Sequence, residues 1–356
     1  MLLLESKTIV ITGGTGSLGK TLVHRILSGE LGTPKKVIVF SRDEAKQHDM
    51  RISYLQKSAP TDEVIYRNFM NVLEFRIGDV RNYPDVCSVL KDADVVINAA
   101  ALKQVPTCEY FPMQAVMTNC VGAFNIVRAI GENNYPVKTV VAISTDKACK
   151  PVNVMGMTKA LQERIFSSAN VLNSGTRYIC VRYGNVLASR GSVIPLFHHQ
   201  IRNGGPVTIT VPEMTRFLLS LNNAVSTVFA ALTGAKRGET YVPIAPAATV
   251  INIAKALIGD RTVEIQTVGI RPGEKIHEVM VSEEEVHRCV KRGDYYVIRP
   301  NLPELCEEPC SEQSVLSKEF TSADTVLDLD GTVALLRNHG LTLEDSTHYS
   351  TGEMLR

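Results

Sequence analysis

The fold is decided by the stretch Thr8-Ile-Val-Ile-Thr-Gly-Gly-Thr-Gly-Ser-Leu-Gly19. Its first five residues are apolar or β-branched, as in a buried parallel strand, and helical periodicity resumes after the glycine-rich turn. The three spaced glycines permit a tight turn, close approach of the backbone to a pyrophosphate, and close packing of helix on strand. We therefore expect a dinucleotide to bind here, the alternative being a strand-to-helix turn without a ligand. The expected contacts are Gly13, Thr15, Gly16, Ser17, Leu18 and Gly19.

Outward from this stretch, short apolar runs alternate with helical segments as far as residue 182. The pattern predicts an α/β fold with a Rossmann-type, doubly wound parallel sheet over residues 1–182. Polar, glycine-rich loops then predict a smaller substrate-binding domain, mainly over residues 183–300, from which some segments can return to the Rossmann domain. Residues 301–356 are expected to form a mobile or peripheral C-terminal extension, with one helix opening at Asp328.

Composition excludes several classes of protein. The 356 residues are 44% apolar and 21% charged, which is normal for a soluble globular protein. A net charge of +1 provides no general field for nucleic acid or an anionic membrane. The eight cysteines show no disulfide spacing or metal-ligand set, so we expect no metal and a cytoplasmic location. The apolar N-terminus, Met1-Leu-Leu-Leu4, is too short for a signal peptide or a membrane span.

The loop after the predicted second strand indicates which dinucleotide is bound. Ser41, Arg42 and Lys46 place a hydroxyl and two cations there, which suits a 2′-phosphate and favours NADP. Asp43 keeps NAD open as a less favoured cofactor, and a solvated charged loop is the alternative without a ligand.

Further cofactor contacts are expected where the next strands end. Asp79, beside Val80, can accept a hydrogen bond from an adenine amino group, and three small alanines can lie under a flat cofactor. Asn119 falls within a predicted helix, where asparagine is disfavoured unless its side chain forms hydrogen bonds. The alanines are Ala99, Ala100 and Ala101.

The fifth strand ends in polar residues of mixed chemistry. Thr145, Asp146 and Lys147 follow it, at the sheet edge where ligands bind in open α/β folds. Met155 and Lys159 are four residues apart on the next predicted helix and so share one face. A carboxyl group, two amines and a thioether can therefore surround one point. A buried ion pair beside a core methionine is the structural alternative.

Over residues 7–300 the sequence resembles the extended short-chain dehydrogenase/reductases, and more closely the UDP-N-acetylglucosamine 4,6-dehydratases. Within that group it is most similar to soluble, 5-inverting capsular enzymes, in which methionine replaces the catalytic tyrosine, here at Met155. The matching segments are Phe40-Ser-Arg-Asp-Glu44, Ala99-Ala-Ala-Leu-Lys-Gln-Val-Pro106, Ser144-Thr-Asp-Lys-Ala148, Arg182-Tyr-Gly-Asn-Val186, Ser189-Arg-Gly-Ser-Val-Ile-Pro195, Met214-Thr-Arg-Phe217 and Pro272-Gly-Glu-Lys275.

The resemblance implies transient hydride transfer from C4 to NADP+, loss of water across C5 and C6, and return of the hydride to C6. Asp146 suits the acid and Lys147 the base, with Thr145 on the C4 oxygen and Lys159 on the nicotinamide ribose. The expected UDP-sugar contacts are Lys103, Asn185, Arg216, Arg271 and Glu274. The family also implies a homo-oligomer, such as a hexamer, serving deoxy-amino-sugar synthesis for a surface polysaccharide.

Two other functions stay open at this point. A UDP-sugar 4-epimerase can use the same fold but needs no acid–base pair for C5 and C6. A non-catalytic NADP-sensing protein would explain the missing tyrosine, but not the retention of Asp146, Lys147 and Lys159.

Overall fold

The structure is a computed structural model that describes residues 2–56, 63–187, 192–270, 273–306 and 313–345. Within these ranges no helix has the length and apolar character needed to cross a membrane.

Sixteen strands are described, of which nine form the central sheet. Its order is β13-β14-β9-β6-β5-β4-β1-β2-β3, parallel from β9 to β3 and antiparallel at β13 and β14. This confirms the predicted Rossmann-type parallel sheet. The strands are β1 Thr8–Thr12, β2 Lys36–Ser41, β3 Leu73–Ile77, β4 Val95–Asn98, β5 Thr139–Ile143, β6 Arg177–Val181, β7 Val207–Ile209, β8 Thr215–Phe217, β9 Thr240–Pro243, β10 Ala247–Thr249, β11 Ile265–Thr267, β12 Val279–Val281, β13 Cys289–Arg292, β14 Tyr295–Ile298, β15 Phe320–Thr321 and β16 Val326–Leu327.

Helices cover both faces of this sheet, as the alternation of elements predicted. Val10 faces one apolar core and its neighbour Ile11 the other, because successive strand residues point to opposite faces. A π-helical turn at Val116–Val121 joins two of the helices, and 3-10 turns occupy Asp146–Ala148 and Pro303–Leu305. The helices are α1 Ser17–Leu27, α2 Glu44–Leu55, α3 Glu63–Val72, α4 Tyr83–Leu90, α5 Val105–Tyr110, α6 Pro112–Ala115, α7 Gly122–Asn133, α8 Val154–Leu172, α9 Val193–Arg202, α10 Leu221–Gly234, α11 Val250–Ile258, α12 Glu283–Val286 and α13 Leu329–Asn338.

The strand order reverses at β1, which lies between β2 and β4. In an open α/β sheet the crevice at such a point binds ligands beyond the carboxyl ends of the strands. The glycine-rich turn, the loop after β2 and the ends of β4 and β5 all meet at this edge.

A smaller unit beside this edge has its own apolar core, which contains Phe197, Ile253 and Leu336. The sequence predicted that residues beyond 300 are peripheral, but several are integral to the fold: Leu336 lies in this core, and Phe320 lies in a core of the central sheet. Strand β16 pairs with β10, β15 pairs with β12, and Phe320 is buried. Conversely, β9, β13 and β14 return to the central sheet. The smaller unit is therefore assembled from segments on both sides of residue 300.

A buried arginine ties α8 and α12 to the end of β6. The guanidinium of Arg182 forms hydrogen bonds at 2.7–3.1 Å with both carboxylate oxygens of Glu163 and of Glu285. Burial alone would raise the pKa of Glu285, but the charge and hydrogen bonds of Arg182 outweigh it and lower the pKa to about 2. The interaction of Glu285 with Arg182 therefore depends on an ionised carboxylate.

This pKa shift predicts a specific loss of stability in acid. Because the folded pKa is about 2 and the usual value is 4.5, the stabilisation is complete above pH ~4.5 and is lost as the pH falls toward ~2. Between pH ~5 and pH ~3 we expect the free energy of unfolding to fall by about 2 kcal/mol more in the wild type than in Glu285→Gln. Urea titrations at both pH values measure this. Equal losses in the two proteins would contradict the assigned shift.

Candidate active site

The polar residues after β5 lie against the first turn of α8. Asn153 caps α8 by accepting a hydrogen bond from the backbone N–H of Gly156 at 2.8 Å, as the sequence predicted. A Cβ atom on Gly156 would lie 2.2 Å from the carbonyl oxygen of Lys147. Only glycine fits there, so the helix start and the 3-10 turn at Asp146–Ala148 are in direct contact.

Thr145, Asp146 and Lys147 form one hydrogen-bonded group. Asp146 is fully buried, and its Oδ1 accepts from the Thr145 hydroxyl at 2.7 Å and from the Lys147 amine at 3.1 Å. Its other oxygen, Oδ2, is buried and has no hydrogen-bond partner within the described ranges. One carboxylate is thus linked to a hydroxyl and to an amine, which places a potential proton donor and a potential base side by side.

A second carboxylate shares the amine of Lys147. Glu278 Oε1 lies 3.3 Å from Lys147 Nζ and 3.7 Å from the Nε of Arg216. Burial alone would lower the pKa of Lys147, but the negative charges of Asp146 and Glu278 outweigh it and raise the pKa. Without substrate, Lys147 is therefore an ammonium.

Lys159 lies in a different environment from Lys147. Its buried amine donates hydrogen bonds to the backbone carbonyl of Ile143, at the end of β5, and to the side-chain oxygen of Gln162. Burial lowers the pKa of Lys159 to about 8, and the charge of Glu163 offsets this effect only in part. This amine can therefore exchange a proton near neutral pH.

Met155 lies in the first turn of α8, within an apolar environment. Its side chain is 5% exposed and packs in a small apolar cluster with Cys108 and Ala115. A core methionine beside a buried ion pair is the arrangement that the structural alternative describes. A thioether can neither donate nor accept a proton, so the proton chemistry belongs to its neighbours.

The glycine-rich turn has the shape that a dinucleotide requires. Gly13 has a φ of +66°, and a Cβ there would lie 2.8 Å from the backbone of Ala100. A Cβ on Gly19 would lie 2.5 Å from the backbone of Gly14, whereas one on Gly16 would meet only the carbonyl oxygen of Gly13. The turn is therefore closely packed on the protein side and open at Gly16, where α1 begins and the helix dipole favours phosphate.

The charged loop after β2 is organised by Asp43, which caps α2 and pairs with the amine of Lys46. Arg42 lies 3.6 Å from Asp79, which also binds Arg81. Partial burial would raise the pKa of Asp79, but Arg81 and Arg42 lower it. Asp43 and Asp79 thus already have cationic partners in this structure.

The remaining predicted cofactor residues differ in how closely they approach the crevice. The backbone N–H groups of Ala99 and Ala100 bind Thr12 at the end of β1, and Ala101 is exposed beside them. The Val80 carbonyl accepts from Asn125. Asn119 is fully buried in the π turn and bonds both backbone groups of Leu102 and the Thr158 hydroxyl. The expected hydrogen bonds of Asn119 exist, but its partners are protein groups, so it positions the loop after β4.

Most predicted substrate residues lie on the smaller unit's side of the crevice. Lys103 is exposed in the loop after β4, and Arg216 donates to the carbonyl oxygens of Thr215 and Ile276. Asn185 and Glu274 each have a buried side-chain oxygen without a partner in the part of the chain that the structure describes. Unpaired buried oxygens at a crevice suit a hydroxyl-rich ligand. Arg271 lies outside the described residues.

Sequence reasoning missed two charged residues in this site. Glu278 and Lys275 line a small cavity together with Lys147 and Asn153. Burial lowers the pKa of Lys275, whose amine donates to the Cys149 carbonyl at 2.7 Å. The sequence did contain a signal for Glu278. It is an acidic residue next to the apolar run of β12, where a buried carboxylate needs a cationic partner.

Comparison with known proteins places the chain in a family. Residues 9–300 match the model of the polysaccharide biosynthesis protein family. A UDP-glucose 4-epimerase of Rickettsia conorii is 46% identical over 297 residues, which cover 82% of each chain. A UDP-glucose 4-epimerase of Rickettsia prowazekii is 45% identical over 298 residues, again with 82% of each chain covered.

Two solved structures show the same fold. Pen from Bacillus thuringiensis is 31% identical and superimposes with a TM-score of 0.83, covering 95% of this chain and 99% of Pen. DesIV from Streptomyces venezuelae, a dTDP-glucose 4,6-dehydratase solved with NAD, is 18% identical with a TM-score of 0.63, covering 76% of this chain and 86% of DesIV. The chain therefore belongs to the polysaccharide biosynthesis protein family and has the extended short-chain dehydrogenase/reductase fold.

Proposed function

We propose that this protein is a UDP-N-acetylglucosamine 4,6-dehydratase that inverts C5 and uses NADP. The observation that carries the proposal is the contact of 3.1 Å between the Asp146 carboxylate and the Lys147 amine at the carboxyl end of β5. Elimination of water from adjacent carbons needs an acid on one carbon and a base on the other, so both groups must lie close together.

When bound, a nicotinamide dinucleotide supplies one capability, which is to accept a hydride and to give it back. The protein's own groups then carry the protons. Lys147 takes the proton from C5, which a neighbouring 4-keto group acidifies, and Asp146 protonates the C6 hydroxyl as it leaves. Burial strengthens both interactions, because the site has a lower effective dielectric constant than water.

The proton of the C4 hydroxyl needs a route that avoids Met155. Thr145 offers one, since its hydroxyl donates to Asp146 Oδ1 at 2.7 Å. Thr145 takes the proton from the C4 oxygen and releases its own hydroxyl proton to Asp146. The Asp146 carboxyl group then holds the proton that later departs with water. Lys159 stabilises negative charge developing on the C4 oxygen and binds the nicotinamide ribose.

Binding of the nucleotide is assigned to the residues that the resemblance implied. Arg216 and Arg271 hold the pyrophosphate, Glu274 accepts from ribose hydroxyls, and Asn185 and Lys103 complete the contacts. The setting that we propose is a cytoplasmic homo-oligomer, such as a hexamer, supplying a deoxy-amino sugar for a surface polysaccharide such as a capsule.

A UDP-sugar 4-epimerase is the second candidate, because the curated relatives carry that name. Incubating the protein with UDP-N-acetylglucosamine, without added reduced cofactor, separates the two functions by NMR of the product. A 4-keto-6-deoxy sugar supports dehydration. UDP-N-acetylgalactosamine would replace the proposal with epimerisation, and cofactor binding without turnover of any UDP-sugar would favour the NADP-sensing alternative.

NADP is the proposed cofactor, although the similar structure of DesIV holds NAD. Asp43 already accepts from the backbone N–H and pairs with the amine of Lys46, while the side chain of Arg42 is 54% exposed. We expect Arg42→Ala to weaken NADP binding about 10- to 100-fold and to leave NAD binding nearly unchanged. Calorimetric titration with both cofactors measures this, with the exposed Arg67→Ala as the control. Equal effects on both cofactors would refute the assignment to the 2′-phosphate.

A further inference from the structure

Glu278 is a buried carboxylate that the mechanism above does not use. It is 3% exposed and directly precedes β12. The fully buried Ser322 fixes its backbone, with its hydroxyl accepting from the Glu278 N–H at 2.9 Å and its N–H donating to the Glu278 carbonyl at 2.8 Å. The C-terminal segment therefore holds this residue in place.

The side chain of Glu278 is aimed at the proposed base. Its Oε1 lies 3.3 Å from Lys147 Nζ, while its Oε2 is buried with no partner among the residues that the structure describes. Among the residues that the structure describes, the charged groups around Lys147 are Asp146, Glu278, Arg216 and Lys275. Of these, the two carboxylates are in contact with its amine and are placed to accept a proton from it.

The resting site poses a chemical problem, because an ammonium cannot act as a base. Lys147 must lose a proton before it can take one from C5. Asp146 cannot accept that proton if it already carries the one from the C4 hydroxyl, which it needs for the departing water. Glu278 is the remaining acceptor in contact with the amine.

We propose that Glu278 accepts a proton from Lys147 to create the base and returns it later in the same turnover. This inference rests on the proposed dehydration. Glu278 acts through Lys147 and touches no reacting atom, so it is a positioning residue.

The protons balance over one cycle. The C4 hydroxyl proton reaches Asp146, and the Lys147 proton reaches Glu278. Lys147 then takes the C5 proton, and Asp146 gives its proton to the C6 oxygen, which leaves as water. After the ring has moved, Lys147 reprotonates C5 on the opposite face, which inverts that carbon. Lys147 finally regains its proton from Glu278, so the starting charges of all three residues are restored.

Substrate binding favours this transfer in two ways. Protonation of Asp146 removes one of the two negative charges that keep Lys147 an ammonium. The diphosphate of the substrate competes for Arg216, now 3.7 Å from Glu278, and so leaves the Lys147 amine as the cation nearest to that carboxylate. Burial also raises the free energy of the ion pair relative to the neutral pair of carboxylic acid and amine, because both charges lose their hydration.

The test is Glu278→Gln, with the cofactor-loaded enzyme in D₂O and UDP-N-acetylglucosamine as substrate. We expect deuterium incorporation at C5 and product formation to slow about 100-fold or more, with little change in KM. Oxidation at C4 does not need Glu278, so reduced nicotinamide should accumulate in a single turnover of Glu278→Gln. Absorbance measures this accumulation. Glu278→Asp keeps a carboxylate, so it should form product about tenfold faster than Glu278→Gln.

Glu239→Gln is the matched control, because Glu239 is equally buried and paired with an arginine, Arg292, remote from this site. This variant should exchange the C5 proton for deuterium and form product at the wild-type rates. Two results would overturn the role of Glu278 without affecting the proposed function. One is C5 exchange at the wild-type rate in Glu278→Gln, and the other is a folded Glu278→Gln protein that forms no reduced nicotinamide. A wild-type protein that neither exchanges C5 nor forms the keto sugar would overturn the proposed function, and this inference with it.

Discussion

Asp146→Asn is expected to lower kcat about 10²- to 10⁴-fold, the range typical for loss of a general acid. The substitution is nearly isosteric, and the amide oxygen can still accept from Thr145 and Lys147, which now bind Oδ1 at 2.7 and 3.1 Å. An amide cannot protonate a departing hydroxyl, however. Steady-state kinetics with UDP-N-acetylglucosamine, alongside calorimetric titration of substrate binding, separates the loss of chemistry from any loss of affinity.

The matched control is Asp94→Asn. Asp94 precedes β4 at the opposite edge of the sheet, where it accepts from the Thr8 N–H at 2.9 Å and pairs with Lys7. It should retain full turnover. If Asp146→Asn kept more than about one tenth of the wild-type kcat, Asp146 would not be the acid.

Gly156→Ala is expected to lower both stability and activity. The added Cβ would lie 2.2 Å from the Lys147 carbonyl oxygen and 3.1 Å from its carbonyl carbon. Since these are backbone atoms, the start of α8 or the turn at Asp146–Ala148 must move. We expect a loss of about 2–4 kcal/mol in the free energy of unfolding and a fall in kcat of about 100-fold, because the acid and base are displaced from their working geometry.

Gly131→Ala provides the comparison for this change. Gly131 is also helical, in α7, but its added Cβ would meet no atom within 4 Å. That variant should be neutral or stabilised by up to about 1 kcal/mol, since alanine loses less backbone entropy on folding. Urea denaturation and kcat of both variants measure the difference. Equal behaviour of the two variants would mean that α8 does not position the catalytic turn.

The sequence was sufficient for the features that local patterns encode. The run Thr8–Thr12 followed by Gly13, Gly16 and Gly19 predicts β1, its turn and α1, because residue spacing alone determines that motif. The polar end of β5 likewise marks Asp146 and Lys147, since parallel strands bring their carboxyl ends to one edge.

Contacts between residues that are distant in sequence could not be predicted from the sequence. Glu278 and Lys147 are distant in sequence but lie 3.3 Å apart in the fold, and the pairing of β12 with β15 helps to hold Glu278 in place. The same limit applies to residues beyond 300: an irregular, charged stretch looks peripheral until Phe320 and Ser322 are seen to be buried. Met155 could be placed on α8, but its apolar cluster with Cys108 became visible only in three dimensions.

The central claim is that one pocket removes a hydride from C4 and returns the same hydride to C6, with Asp146 and Lys147 moving the protons. Turnover of UDP-N-acetylglucosamine deuterated at C4, with the label located by NMR, tests it most directly. The account predicts deuterium in the C6 methyl group of a 4-keto-6-deoxy product. Deuterium that remains at C4, in UDP-N-acetylgalactosamine or in unchanged substrate, would contradict it.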